Sequence, residues 1–257
     1  MKSGDISALA FGDNTFLAMT STPNFTALPV RYTTRFYGAV TVDPGSWTLR
    51  GTVVTADVRI IDLAFGGGTF VAVGDNNAIY SLDNGATWSR GTFSGVGGLS
   101  RVSYGNGRFV ALNRTGDAVL VSADGITWTT ASIGIAASER PDLLGFGNGL
   151  FLATTSAGNV YTSADGVTWL QRTQFFDLSS TESSTYSVAP GGGGFMVITS
   201  NAIFFTFDSG TTWITVDPGV SFPGLSAFDG IFFNGAFLLA GIDGGSGLGG
   251  VFRSGDL

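Results

Sequence analysis

Apolar positions along the chain come in short runs, such as "FVAVG" (70–74), "AVLVS" (118–122) and "GFMVIT" (194–199), and Gly, Asn or Asp breaks each run within a few residues. Short runs rich in Val, Phe, Ile and Thr suit strands, and no stretch sustains the 3.6-residue apolar period of an amphipathic helix. Many of the interruptions are Asn-Gly or Gly-rich, which suits two-residue hairpins because both central positions tolerate positive φ. The pattern predicts an all-β protein of many short strands.

The runs also recur. The five tryptophans, at 47, 88, 128, 169 and 213, are separated by 41, 40, 41 and 44 residues. Ahead of each lies an aromatic-Gly-turn-Phe string or a close variant: "AFGDNTFLAM" (10–19), "AFGGGTFVAV" (64–73), "SYGNGRFVAL" (103–112), "GFGNGLFLAT" (145–154) and "APGGGGFMVI" (189–198). A sixth copy, "FFNGAFLLA" (232–240), has no tryptophan after it. Each repeat parses into four strands, and four strands in about forty residues is the size of a propeller blade. The chain predicts one domain over 1–257, a six-bladed β-propeller with blades at about 6–53, 58–92, 99–132, 140–173, 185–217 and 225–257. The sixth is expected to have three strands, leaving an open edge near Val251–Arg253 through which a further chain can pair.

The strings "SADGITW" (122–128) and "SADGVTW" (163–169) fall between the third and fourth strands of their repeats. There Asp124 and Asp165 are placed to accept backbone N–H groups across the turn, and Trp128 and Trp169 to pack between blades. With "SLDNGATW" (81–88) and "TFDSGTTW" (206–213) they resemble the Asp-box (BNR) repeat of sialidase-like propellers, Ser/Thr-x-Asp-x-Gly-x-Thr-Trp. "TVDPGSW" (41–47) and the two "SADG" copies are one residue shorter, so their turns are expected to differ. The resemblance implies a structural role for Asp43, Trp47, Asp83, Trp88, Asp124, Trp128, Asp165, Trp169, Asp208 and Trp213. It also implies a blade face away from any active site. The family's early Phe-Arg-Ile-Pro signature is absent, "VRIIDL" (58–63) being the nearest string.

Composition narrows the chemistry. The chain has no His and no Cys, which excludes Ser-His-Asp and Cys-His catalysis, imidazole or thiolate metal sites and disulfides. Its net charge of −7 opposes general nucleic-acid binding. No apolar run reaches the length of a signal-peptide core or a membrane helix. No cofactor, metal or membrane insertion is expected, and the chain is expected to be made in a host cytoplasm without export.

The Asp turns and Asn-Gly turns share one face of a propeller, so variation is left to the other. There lie the insertion 20–35, the glycine-rich loop 242–250 and the link 174–185. Loops on a rigid scaffold commonly carry binding residues. The candidates are Phe25, Arg31, Tyr32, Arg35, Arg114, Arg140 and Phe175, cations and rings able to hold carboxylates or stack on sugars. The functional expectation is a non-enzymatic binding or structural module, by analogy a phage virion component such as a tail-fibre-type adhesin or a decoration protein. Its partners would be other virion proteins or a host surface glycan. The alternatives are a glycan-binding lectin and a degenerate sialidase-like glycosidase.

Overall fold

The computed structural model describes residues 6–26, 29–41, 43, 45–56, 59–75, 77–92, 97–172, 185–199, 202–216, 225–243 and 249–253. Among them there is no helix, and the strands form six antiparallel sheets, each built from consecutive strands. The chain divides into two compact units, Met1–Ser132 and Ile133–Leu257.

The first unit holds three sheets of four strands. Sheet one is β1 (Ile6–Gly12), β2 (Thr15–Asn24), β3 (Arg31–Ala39) and β4 (Thr48–Ala56). Sheet two is β5 (Ile60–Gly66), β6 (Thr69–Gly74), β7 (Asn77–Ser81) and β8 (Ser89–Arg90). Sheet three is β9 (Leu99–Gly105), β10 (Arg108–Asn113), β11 (Ala118–Ser122) and β12 (Thr129–Ser132).

The second unit holds the rest. Sheet four is β13 (Pro141–Gly147), β14 (Leu150–Thr155), β15 (Val160–Ser163) and β16 (Leu170–Gln171). Sheet five is β17 (Thr185–Gly191), β18 (Gly194–Thr199), β19 (Ile203–Thr206) and β20 (Ile214–Val216). Sheet six has three strands among the described residues, β21 (Leu225–Phe233), β22 (Ala236–Asp243) and β23 (Gly249–Arg253), with β23 at its outer edge.

The first hairpin of every sheet closes as its sequence predicts. Asn106 and Gly107 have φ of 46° and 75°, and Asn148 and Gly149 have 51° and 75°, the two positive values that a tight two-residue turn between right-twisted strands requires. The glycine before the turn has a separate reason. A Cβ on Gly66 would lie 2.0 Å from the ring of Tyr104, because the first strand of the next sheet lays its aromatic there. The aromatic-Gly pair is thus a packing device that joins successive sheets.

Sheets pack face to face through the middle strands. In the first unit Leu17, Met19 and Phe36 of sheet one meet Leu63, Phe70 and Ile79 of sheet two. Val71 and Val73 of sheet two then meet Val102 and Phe109 of sheet three. In the second unit Leu152 and Val160 meet Phe195 and Val197, and Met196 and Ile198 meet Phe237 and Leu239. Fully burying one such side chain contributes about 1.5–3 kcal/mol before entropy is counted.

One expectation is corrected. The insertion 20–35 does not run as a loop. β2 continues to Asn24, β3 starts at Arg31, and the two pair in unbroken register from Phe16↔Ala39 to Asn24↔Arg31. Beyond the buried Thr20 and Thr34, β-branched Thr supports the extension with few buried contacts. Ser21 and Thr34 share a hydroxyl–hydroxyl bond of 3.2 Å, and Thr22 Oγ1 donates to the Thr33 carbonyl at 3.3 Å.

Candidate functional site

Two ends of the sheets carry side chains that merit a functional reading, beginning with the turns that hold aspartate. In the turn after β11, Ser122 Oγ donates to Asp124 Oδ1 (2.9 Å) and accepts from Gly125 N (2.9 Å). The same Asp124 oxygen accepts Ile126 N (2.8 Å) and Thr127 N (2.9 Å), and Trp128 Nε1 donates to the Gly125 carbonyl at 3.1 Å. The turn after β15 repeats the set with Ser163, Asp165, Gly166 and Trp169.

The longer strings admit one extra left-handed residue before the glycine, Asn84 (φ 56°) and Ser209 (φ 62°). This leaves Thr87 Oγ1 within 2.6 Å of Asp83 Oδ2 and Thr212 Oγ1 within 2.6 Å of Asp208 Oδ2. In the first turn Asp43 accepts the Thr41 hydroxyl at 3.0 Å, and Ser46 Oγ donates to the Thr41 and Asp43 carbonyls.

These bonds stabilise the ionised carboxylates. The Thr212 hydroxyl and amide hold Asp208 down at about 2, the Thr87 hydroxyl and amide lower Asp83, and backbone N–H groups lower Asp124 and Asp165. The tryptophans complete the device. Trp88 stacks on Phe36 of the preceding sheet, ring centroids 4.0 Å apart, Trp128 joins Val71 and Val73, and Trp213 packs near Leu152 and Val160. Trp169 is half-buried, and Trp47 lies 6.5 Å from the Phe16 ring. The carboxylates of these turns are engaged by the hydroxyls and N–H groups of their own turns.

The other candidate is the far end of sheet one. Its β2, β3 and β4 are ten, nine and nine residues long, against six, five and two for β6, β7 and β8 in sheet two. The surplus length carries Phe25, 75% exposed, where Thr26 N and Oγ1 both donate to Asn24 Oδ1. It also carries Arg31, Tyr32 and Arg35 on β3. Their alternation separates them: Arg31 and Arg35 share one face of the strand with Thr33, and Tyr32 is on the opposite face. Val54, opposite Thr33, is exposed beside the arginines.

The remaining candidates lie elsewhere. Arg114 Nη1 is 2.6 Å from Asp75 Oδ1, a partly exposed ion pair bracing the ends of β6 and β10. Arg140, in the second unit, is exposed, and its backbone exchanges hydrogen bonds with Ser156. Phe175 and most of the 174–185 link lie outside the described residues, as do 244–248 of the glycine-rich loop.

Sequence reasoning missed a polar tie on the first strands. Asp62, at a bulge in β5, accepts Leu63 N and Val102 N, both at 2.9 Å, the latter from the next sheet. Burial of its carboxyl raises the pKa, outweighing those bonds and Arg101. In the second unit Asp229, also at a bulge, accepts Ser187 Oγ at 2.5 Å and Gly230 N at 2.8 Å. Both aspartates stand three residues before the strand's marker aromatic, a spacing readable in "DLAF" (62–65) and "DGIF" (229–232).

No protein-family model and no curated protein matches the chain. Solved structures match it at the level of fold. YCF48 from Cyanidioschyzon merolae is 14% identical, with a TM-score of 0.65 over 94% of this chain and 81% of its own. A structure of YCF48 bound to D1 peptide is 15% identical, with a TM-score of 0.66 over 94% of this chain and 76% of its own. Virginiamycin B lyase from Staphylococcus aureus is 10% identical, with a TM-score of 0.70 over 98% and 85%. These are β-propeller proteins, and this chain has the β-propeller fold.

Proposed function

We propose that the protein is a non-enzymatic binding module that docks a polypeptide partner through the projecting end of sheet one, as a surface component of a larger assembly such as a phage virion. The observation that carries this reading is the surplus length of β2, β3 and β4, which extends past the sheet's packed part and presents Phe25, Arg31 and Val54 to solvent. Strand length without a core to bury is costly to order, and it is explained when a partner supplies the missing contacts.

The chemistry offered there is that of recognition: two guanidiniums on one face for carboxylates or carbonyls, and a solvent-facing ring at the tip. The fold itself hosts both binding and catalysis, as a peptide-bound YCF48 and a lyase illustrate.

The test is a photo-crosslinking amino acid at position 25, irradiated in the native assembly. A discrete protein adduct is expected. Recovery of glycan adducts, with binding on a glycan array, would replace the polypeptide by a sugar, and turnover of a fluorogenic glycoside would overturn the non-enzymatic reading.

A further inference from the structure

In the first unit the first strands β1, β5 and β9 pack on one another, so the fourth strand of each sheet lies at the outer rim. Elsewhere that rim strand is short. β8 and β16 have two residues, β20 three and β12 four, against nine in β4. The rim of sheet two is also occupied. Thr92 N, just beyond β8, donates to the Ile126 carbonyl at 2.7 Å, and Trp128 N donates to the Thr92 carbonyl at 3.0 Å. The turn of sheet three thus takes both backbone groups of Thr92.

The string "RGT" stands at 90–92 and again at 50–52, and in sheet one strand continues after it. Arg50 is the extra residue of a bulge between Leu49 and Gly51, and from there 51–56 pair with 31–36 in unbroken register. Among the described strands β4 pairs with β3 alone. Natural sheets guard such an edge with Pro, Lys or an inward-pointing charge. The stretch 51–56, "GTVVTA", has none of these, and Thr52, Val53 and Val54 are residues that suit strand pairing.

Charge indicates what would pair there. β2, β3 and β4 carry Arg31, Arg35 and Arg50 and no acidic residue, in a chain whose net charge is −7. Among the described residues none of these three guanidiniums makes a hydrogen bond or an ion pair, in contrast to Arg114 with Asp75.

We infer that β4 binds an extended, acidic segment of a partner polypeptide by strand addition, centred on Thr52–Val54. What the protein offers is an edge of backbone N–H and C=O groups, and neither face of the sheet is required. Main-chain hydrogen bonds supply the affinity in this mode, and side chains that alternate along the added strand supply selectivity. Arg31 and Arg35 lie four residues apart on one side of β3, opposite Ala56 and Thr52 of β4. Carboxylates four residues apart on the added strand fall on that same side, one for each guanidinium. The inference rests on the polypeptide-docking reading and specifies its mode.

The experiment is calorimetric titration of the full chain with a capped synthetic peptide, Val-Glu-Val-Thr-Val-Glu-Val-Thr. Saturable binding is expected. The same peptide with Lys in place of Glu should bind at least about tenfold more weakly, as should the Glu peptide to an Arg31→Glu, Arg35→Glu variant. Arg31→Glu alone repeats that arm if circular dichroism shows the double variant unfolded. A version of the Glu peptide N-methylated at every amide keeps the side chains, cannot donate to the rim, and should not bind. No saturable binding of the Glu peptide, or equal binding of its N-methylated form, would overturn strand addition. Association of the chain with itself that Thr52→Pro abolishes would make a second copy the occupant and overturn it too. If the peptide fails while a protein adduct still forms at position 25, strand addition falls and polypeptide docking stands. A glycan adduct at position 25 removes both.

Discussion

The two ends of sheets one and two teach different lessons from similar residues. At the turn end, Asp83 accepts Ser81 Oγ, Thr87 N and Thr87 Oγ1, and Trp88 is stacked on Phe36 and donates to Gly85. Asp83 and Trp88 thus find their partners within the fold. At the projecting end, Phe25 and Arg31 are exposed and Tyr32 is half-buried, on strands that outrun the core. The turn end recurs with the repeat, and the projection belongs to sheet one. Repetition marks what the scaffold needs for itself, and departure from it marks what is left for another molecule.

The largest effect that tests this contrast is at the turn end. Trp128 is 6% exposed, joins the cluster around Val71 and Phe109 and donates a hydrogen bond to Gly125. Trp128→Ala should cost about 3–5 kcal/mol in urea unfolding, from lost transfer energy and the cavity left behind. A loss below about 1 kcal/mol would mean that the ring is not an element of inter-sheet packing.

Much of that end could be read from the chain. Asn-Gly pairs, the Ser-Ala-Asp-Gly strings and the spaced tryptophans are local signals, and local turn chemistry determines the geometry they adopt. The projection was less legible. "TSTPN" (20–24) and "RYTTR" (31–35) have no apolar alternation because the positions buried there, Thr20 and Thr34, are polar and the rest are exposed or half-buried, so the usual strand signal is missing. For the same reason Arg31, Tyr32 and Arg35 read as one cluster, although alternation along β3 puts Tyr32 on the other face. Asp62 escaped notice because its role depends on Val102 N, forty residues away, which strand packing alone brings near.

A second test uses pH and is intermediate in size. Asp83, Asp124, Asp165 and Asp208 are all lowered, Asp208 to about 2, from an unfolded value near 3.9. A depressed folded pKa gives stability that is present above the unfolded value and lost as pH falls through the folded one. Wild type should therefore lose stability between about pH 5 and pH 2. A variant with all four changed to Asn should be less stable at neutral pH and show a shallower decline over that window. Urea midpoints across the range check both. Equal slopes for the two proteins would mean that the carboxylates do not titrate with the fold.

The smallest expected effect on stability is at the projecting end, and it sharpens the contrast most. Phe25, Arg31 and Tyr32 lie where β2 and β3 have left the core, so replacing all three by Ala removes few internal contacts. Exposed substitutions usually change stability by about 0.5 kcal/mol or less each, so urea unfolding should show no more than that at positions 25 and 31, with a larger but still small loss at the half-buried Tyr32. Capture of the native partner should nevertheless be lost, because the tip ring and the Arg31 guanidinium are the groups this end offers to another surface. Trp128→Ala should behave in the opposite way, with lower stability and the tip surface intact below the unfolding transition. If the triple variant unfolded early, the projection would belong to the scaffold. If it stayed folded and kept its partner, the binding surface would have to be sought elsewhere on the molecule.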